Sequence, residues 1–217
     1  MKKRILAHRG LHYETKLPKN SFEALSQAIN EGYGIETDLR LHKGELAISH
    51  DSIETESCLL FDALLELEKA KLLGSIFALN IKEDGLSNAI TKFLTEQEEK
   101  WDYFVFDMSV PDSISFYKNQ MNVYTRISEF EVPPPQFCNQ SSGFWIDSFL
   151  GECPQLYWAQ HALSSRKEFC LVSPELHGRD HLPLWEAIMS ERLHQAEGFR
   201  LCTDFPRQAS DFFYSYD

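Results

Sequence analysis

The sequence predicts an α/β protein built as a (β/α)8 TIM barrel, a single lean domain over residues 1–217 with a small hairpin after the second strand. Eight short apolar runs rich in Ile, Val and Phe alternate with amphipathic stretches of helical period. Such alternation implies a parallel sheet with right-handed crossovers, and eight repeats of the unit favour a closed ring over an open sheet. Hydrophobic residues make up 43% of the 217 and charged ones 25%, enough apolar mass for a packed core, and no Gly/Ser-rich or charged linker divides the chain.

In chain order the strand runs are RILAHRG (residues 4–10), GIETDLRL (34–41), SIFALNIK (75–82), YFVFDMS (103–109), NVYTRIS (122–128), GFWIDSF (143–149), EFCLVSPE (168–175) and GFRLCTDFP (198–206). The first helical pattern, NSFEALSQAINEG, opens with Asn20 as N-cap and Glu23 three residues on. It puts Phe22, Leu25, Ala28 and Ile29 on one face and stops at Gly32. FDALLELEKAKLLG, GLSNAITKFLTEQEEK, PQLYWAQHALSS and LPLWEAIMSERLHQ repeat the period. The fifth unit, EFEVPPPQFCNQSS, carries three prolines and reads as a loop, whereas SDFFYSYD at the C-terminus reads as a short eighth helix covering the barrel.

Polar residues gather at the C-terminal ends of these runs, the face on which barrels of this kind build sites: His8 and Arg9, Asn80 and Lys82, Asp107, Asp147 and Glu175. Side chains alternate along a strand, so Glu36, Asp38 and Arg40 share one face and Ile35, Thr37 and Leu39 the other. Two carboxylates facing a barrel interior are costly through desolvation and repulsion unless something offsets them. A hard divalent cation does so economically; pairing with Arg9, Arg40 or Lys82 in a structural network is the other solution.

Lys43-Gly44 is a turn signal in LHKGELAISHD, and a hairpin about it sets position 38 opposite 49 and 37 opposite 50. His50 thereby returns to the level of Asp38, near His8, with Asp51 beside it to orient an imidazole or assist a metal. Two imidazoles serve as base and acid, in an order the sequence leaves open. Arg9, Lys82 and a cation neutralise charge on nonbridging oxygens, and a phosphodiester is the substrate that uses all of these. The sequence contains no GxSxG, P-loop or GxGxxG motif.

The net charge of −12 argues against a nucleic-acid partner. Five cysteines (58, 138, 153, 170 and 202) lack CxxC or Cys/His spacing and fit a reducing, cytoplasmic setting. After MKKR only three apolar residues precede His8, too few for a signal peptide, and no run of 18 apolar residues would form an integral membrane segment.

The motifs AHRG, LPKNSFEALSQAINEGYGIETDLRLHKGELAISHD, ALNIK and LCTDFP resemble the glycerophosphodiester phosphodiesterase family, of the barrel superfamily that includes phosphatidylinositol phospholipase C. The resemblance implies His8 and His50 as the acid/base pair, Arg9 and Lys82 as phosphate contacts, and Glu36 and Asp38 as ligands of Mg²⁺ or Ca²⁺. The implied partner is a small-molecule phosphodiester, hydrolysed to an alcohol and a phosphomonoester. Asn80 stands where the family usually has a metal-binding glutamate. Its amide oxygen still ligates a hard cation but brings no charge, so Asp51, Asp107 or Glu175 would have to compensate. Glu83, one residue past Lys82, points the other way. The stretch from Asp51 to Asn80 also lacks the family's Thr/Arg/Gly-rich segment. A superfamily lyase releasing a cyclic phosphate and a non-catalytic phospho-ligand-binding barrel are the competing readings.

Overall fold

The computed structural model describes residues 2–55, 57–71, 74–96, 102–132 and 135–214. Strand β1 (Ile5–His8) pairs in parallel with β2 (Gly34–His42), which folds back through β3 (Glu45–Ile48) and the two-residue β4 (Leu59–Leu60). The hairpin register, Leu39 opposite Ile48, is the one expected from the Lys43-Gly44 turn. On its other side β2 pairs in parallel with β5 (Ile76–Ile81), and β5 with β6 (Asp102–Phe106). Strands β7 (Tyr124–Ile127), β8 (Gly143–Ile146), β9 (Glu168–Val172) and β10 (Phe199–Thr203) continue in parallel, and β10 returns to β1. Between β6 and β7 the ring is fastened by one parallel bridge, Val105 to Val123, with the Val105 N–H donating to the Asn122 carbonyl at 2.8 Å. The eight parallel strands make a TIM barrel, and all eight expected strand runs are strands.

Among the described residues eight α-helices line the outside: α1 (Phe22–Asn30), α2 (Phe61–Lys71), α3 (Ser87–Glu96), α4 (Val110–Lys118), α5 (Pro135–Gln140), α6 (Gln155–Ser164), α7 (Leu182–Ser190) and α8 (Pro206–Tyr214). Strand alternation divides the core in two. Ile35, Leu79, Val105, Phe144, Leu171 and Leu201 face outward into the helix layer, whereas Leu6, Ala78, Phe104, Tyr124, Trp145 and Cys202 fill the barrel interior. The interior is packed with rings: Phe104 stacks on Tyr124 at 3.7 Å and Phe106 on Trp145 at 3.8 Å. At its N-terminal end Glu168 accepts hydrogen bonds from the Tyr124 hydroxyl (2.6 Å) and from buried Arg200 (3.0 Å). Among the described residues no helix is long and apolar enough to cross a membrane.

Three sequence expectations need correction. The cap of α1 is Ser21, whose hydroxyl accepts from the Ala24 N–H at 3.2 Å; Asn20 instead takes a left-handed conformation (φ 58°) and turns into the barrel mouth. The fifth unit is not all loop, because α5 begins at Pro135. A proline at the first helical position loses no hydrogen bond, since that N–H has no partner within the helix. Pro133 and Pro134 lie outside the described residues, as do the last three of the expected eighth helix. Helix α4, which the periodicity does not mark, is nucleated by Ser109, accepting from the Asp112 N–H at 3.3 Å, and by Pro111 in its first turn.

The break after β1 has a steric cause. Arg9 (φ 53°) and Gly10 (φ 86°) are consecutive left-handed residues that swing the chain off the strand and against α1, where the Leu11 N–H donates to the Ala24 carbonyl at 2.9 Å. A side chain at Gly10 would stand 2.6 Å from the Ala24 carbonyl carbon and 2.7 Å from the Leu25 nitrogen, both backbone atoms. Gly10→Ala should therefore lower the unfolding free energy by at least ~2 kcal/mol, left-handed strain and clash combined, as read by urea denaturation.

Candidate active site

The C-terminal mouth of the barrel holds a cavity of about 240 Å³ bordered by His8, Arg9, Glu36, Asn80, Asp147 and His177. Parity explains most of the set: His8, Glu36, Asn80 and Asp147, on a strand or just beyond its end, have the inward phase of Leu6, Ala78, Trp145 and Cys202, whereas Arg9 has the opposite phase and reaches the mouth through its left-handed backbone. Register sets the neighbours, placing His8 beside Glu36 and Asp38 beside Asn80 on adjacent strands. Phe106, Trp145 and Val172 form the apolar floor. Lys19, exposed, adds a cation at the rim.

Asp38 is fully buried and is the electrostatic hub. Its Oδ2 lies 2.9 Å from Arg9 Nε and accepts from Asn20 Nδ2 at 2.8 Å, and its Oδ1 is 3.5 Å from Lys82 Nζ. Asn20 is fixed in turn, its amide oxygen accepting from the Thr37 hydroxyl at 2.9 Å. The pairing of Asp38 with Arg9 and Lys82 is the structural network that the sequence left open, and Arg40 belongs elsewhere. Arg40 binds Glu83 at 3.2 Å and donates to the His50 carbonyl at 3.0 Å, and Glu83, which also accepts from the Leu41 N–H, does not border the cavity.

Glu36, 1% exposed, has much weaker company: the Arg9 N–H at 3.3 Å, Asn80 Nδ2 at 3.4 Å and His8 Nε2 at 4.0 Å. Burial over the aromatic floor, reinforced by the Asp38 charge, raises its pKa to about 8. Asn80 Oδ1 and Asp38 Oδ1 are buried and accept no hydrogen bond. Glu36 with its long contacts and these two oxygens on neighbouring strands are donors of the kind a hard divalent cation takes. Asp107, left-handed at φ 71° and bonded to Arg126 at 2.7 Å, also has a pKa raised by burial.

His8 is held by Asp204, a residue that no reading of the sequence singled out. Its Nδ1 lies 2.7 Å from Asp204 Oδ1, and His12 Nε2 approaches the same oxygen at 2.9 Å. Burial raises the Asp204 pKa, but hydrogen bonds from His12 and His8 outweigh it and hold the carboxyl well below the usual range. Burial pulls His8 below 6.5 against the opposing pull of Asp204. A neutral His8 bound to a carboxylate carries its proton on Nδ1, which leaves a lone pair on Nε2. Glu175 stands behind this arrangement: its Oε1 accepts from the Thr203 hydroxyl and, at 3.0 Å, from the Asp204 N–H, and it does not border the cavity.

His50 is not brought onto the cavity. Its ring is 45% exposed and bonds Asp51 at 2.9 Å, although the Ser49 N–H donates to the Asp38 carbonyl and so keeps the hairpin end at the level of the site. The second imidazole on the cavity is His177, whose Nε2 lies 2.8 Å from Asp147 Oδ1. Inward parity in LCTDFP would have found Asp204. His12 carries no periodic signal, and His177 sits on a 3-10 turn (Pro174–His177) that periodicity does not resolve.

No model of a known protein family matches the chain, and no curated protein does. Solved structures do. A glycerophosphodiester phosphodiesterase from Parabacteroides distasonis superposes with a TM-score of 0.72 at 17% identity, covering 98% of this chain and 97% of that one. A phosphodiesterase from Oleispira antarctica, in complex with the product sn-glycerol-3-phosphate, gives 0.65 at 15% identity over 96% and 95%. A glycerophosphodiester phosphodiesterase from Thermotoga maritima gives 0.59 at 13% over 95% and 96%. The likeness is one of fold.

The raised Glu36 pKa has a consequence for stability. Unfolded, the group ionises near 4.5; folded, it holds its proton to about 8, so between these values the unfolded chain binds fewer protons and rising pH favours unfolding. The metal-free protein should lose thermal stability as pH rises through that window, and Glu36→Gln should flatten the slope, as followed by calorimetry at a series of pH values.

Proposed function

We propose that the chain is a metal-dependent phosphodiesterase acting on glycerophosphodiester-like substrates, which it converts to an alcohol and a phosphomonoester. The carrying observation is the place of His8: its Nδ1 lies 2.7 Å from Asp204 Oδ1, and it borders a mouth that also gathers Arg9, Lys19 and Lys82. An anion-collecting pocket with a built-in base, on a protein of net charge −12, matches a phosphodiester. The fold shared with a phosphodiesterase that holds sn-glycerol-3-phosphate as product supports the same class.

Mg²⁺ or Ca²⁺ would be held by Glu36, Asn80 Oδ1 and Asp38 Oδ1. Bound there, such an ion supplies Lewis-acid stabilisation of charge on a nonbridging oxygen. His8 Nε2 takes the proton of the attacking hydroxyl, whether a glycerol oxygen next to phosphorus or water. The new P–O bond forms as the bond to the leaving alcohol breaks, and a second imidazole returns a proton to that oxygen; where the glycerol oxygen attacks, water then opens the resulting cyclic phosphate to the phosphomonoester. Arg9 and Lys82, set in place by Asp38, face the phosphate oxygens. With His8 as base, His50, the other histidine of the pair that the sequence implies, is the first reading of the acid, delivered to the rim by the hairpin. His177, oriented by Asp147 on the cavity wall, is the second reading.

On an aryl phosphodiester, His8→Ala should cut kcat/KM by at least ~10², the usual worth of a general base, and chelator should abolish activity until Mg²⁺ or Ca²⁺ is restored. The acid is identified by comparing His50→Ala with His177→Ala on two leaving groups. Loss of the true acid costs roughly 10² or more with an alkyl alcohol and little with p-nitrophenol, which leaves without a proton. Activity that survives His8→Ala undiminished refutes the proposal, and a cyclic phosphate as final product reassigns it to a lyase. Asn80→Asp, restoring a ligand charge, should tighten divalent-ion binding by about tenfold in titration calorimetry.

A further inference from the structure

A second cleft, of about 270 Å³, lies beside the mouth, and Asp107 borders both. It opens where the ring is fastened by the single Val105–Val123 bridge and where the six-residue α5 leaves the outer layer thin. Its mouth end is polar, with Asp107, Arg126 and Glu131; its body is Met108, Tyr117, Val123 and Phe137. Around its opening stand three of the most exposed apolar side chains among the described residues: Val110 at 62%, Phe130 at 70% and Val132 at 71%.

That exposure does not come from a loose loop. Glu129, next to Phe130, is gripped by five donors, the Ser148 hydroxyl at 2.6 Å and the N–H groups of Phe149, Leu150, Glu152 and Cys153 at 3.0–3.1 Å. Arg126 ties Glu131 to Asp107 from the other side. The fold therefore fixes the backbone on both flanks of Phe130 and still presents its ring to water. An apolar rim held this firmly, continuous with a polar pocket, matches a ligand that is itself polar at one end and apolar at the other.

We propose that the cleft receives the apolar alcohol substituent of the phosphodiester, so that the preferred substrate carries a hydrocarbon chain or aryl group on that alcohol rather than a small polar headgroup. The proposal rests on the phosphodiesterase reading for its chemistry, but the apolar subsite is testable apart from it. The phosphodiester stays at the mouth, and the substituent passes Asp107 and Arg126 to lie between α4 and α5 against Tyr117, Val123 and Phe137.

The test uses sn-glycerol-3-phosphate diesters of ethanol and octanol, below the micellar concentration of the latter, with the divalent ion present. Because each methylene withdrawn from water is worth roughly a factor of four, even partial burial should give the octyl diester at least ~10-fold higher kcat/KM than the ethyl diester. In Val110→Ser/Phe130→Ser/Val132→Ser, three exposed positions at which serine preserves folding, that ratio should fall toward one. Equal kcat/KM for the two diesters in the wild type overturns the subsite while leaving the phosphodiesterase intact. Should neither diester turn over, that activity reading fails, and calorimetry with octyl phosphate against ethyl phosphate decides the subsite alone. Octyl phosphate binding at least ~10-fold tighter, with the difference lost in the triple variant, upholds it; equal affinities refute it. A wild type that dimerises through these residues, with no chain-length effect, makes the rim a contact between copies and likewise refutes it.

Discussion

One buried carboxylate organises the mouth of this barrel. Asp38 is wholly inaccessible, and an isolated charge there would cost far more than a folded domain of this size has to spare, so its partners are obligatory. They come from three directions: Arg9 from the end of β1, Lys82 from the end of β5, and Asn20 from the turn before α1. Both Arg9 and Asn20 adopt left-handed backbone to reach it. The motif AHRG is accounted for in these terms, with histidine and arginine leaving the strand in opposite directions and glycine making room for the helix that carries the turn.

The barrel interior then differentiates two acids separated by a single residue. Asp38 has Arg9 and Lys82 against it, whereas Glu36 sits over stacked rings with only long contacts and retains its proton to about 8. The same contrast separates the imidazoles. His8 is enclosed, its pKa lowered by burial and its Nδ1 set against Asp204, while the His50 ring is about half exposed. Acid–base character at this mouth thus follows from depth as much as from residue type.

Much of this was legible in the sequence because it depends on periods. Strand alternation put Glu36, Asp38, Asn80 and Lys82 on the inward face, and the Lys43-Gly44 turn fixed the hairpin register to the residue. What escaped was set by contacts distant in sequence. Asp204 pairs with His8 across 196 positions, and nothing local to either residue announces it. Asn20 offers a plain N-cap pattern, yet Ser21 beside it caps as well, and the pull of Asp38 decides which of the two does so. His50 and His177 show the same limit: hairpin register gives level along a strand, but whether a ring turns over the cavity is a matter of packing.

The joint between β6 and β7 has a mechanical meaning beyond the cleft it creates. A cylinder transmits load evenly only if every stave is glued along its length, and here one junction is tacked at a single point while its neighbours are bonded over several residues. The wall facing Asp107 therefore has the fewest hydrogen bonds between strands, while the opposite half, which carries β1, β2 and β10, is bonded over several residues at each junction. Hydrogen bonding thus fastens best the half that holds His8 and Asp38 and leaves the seam beside the cleft to side-chain packing.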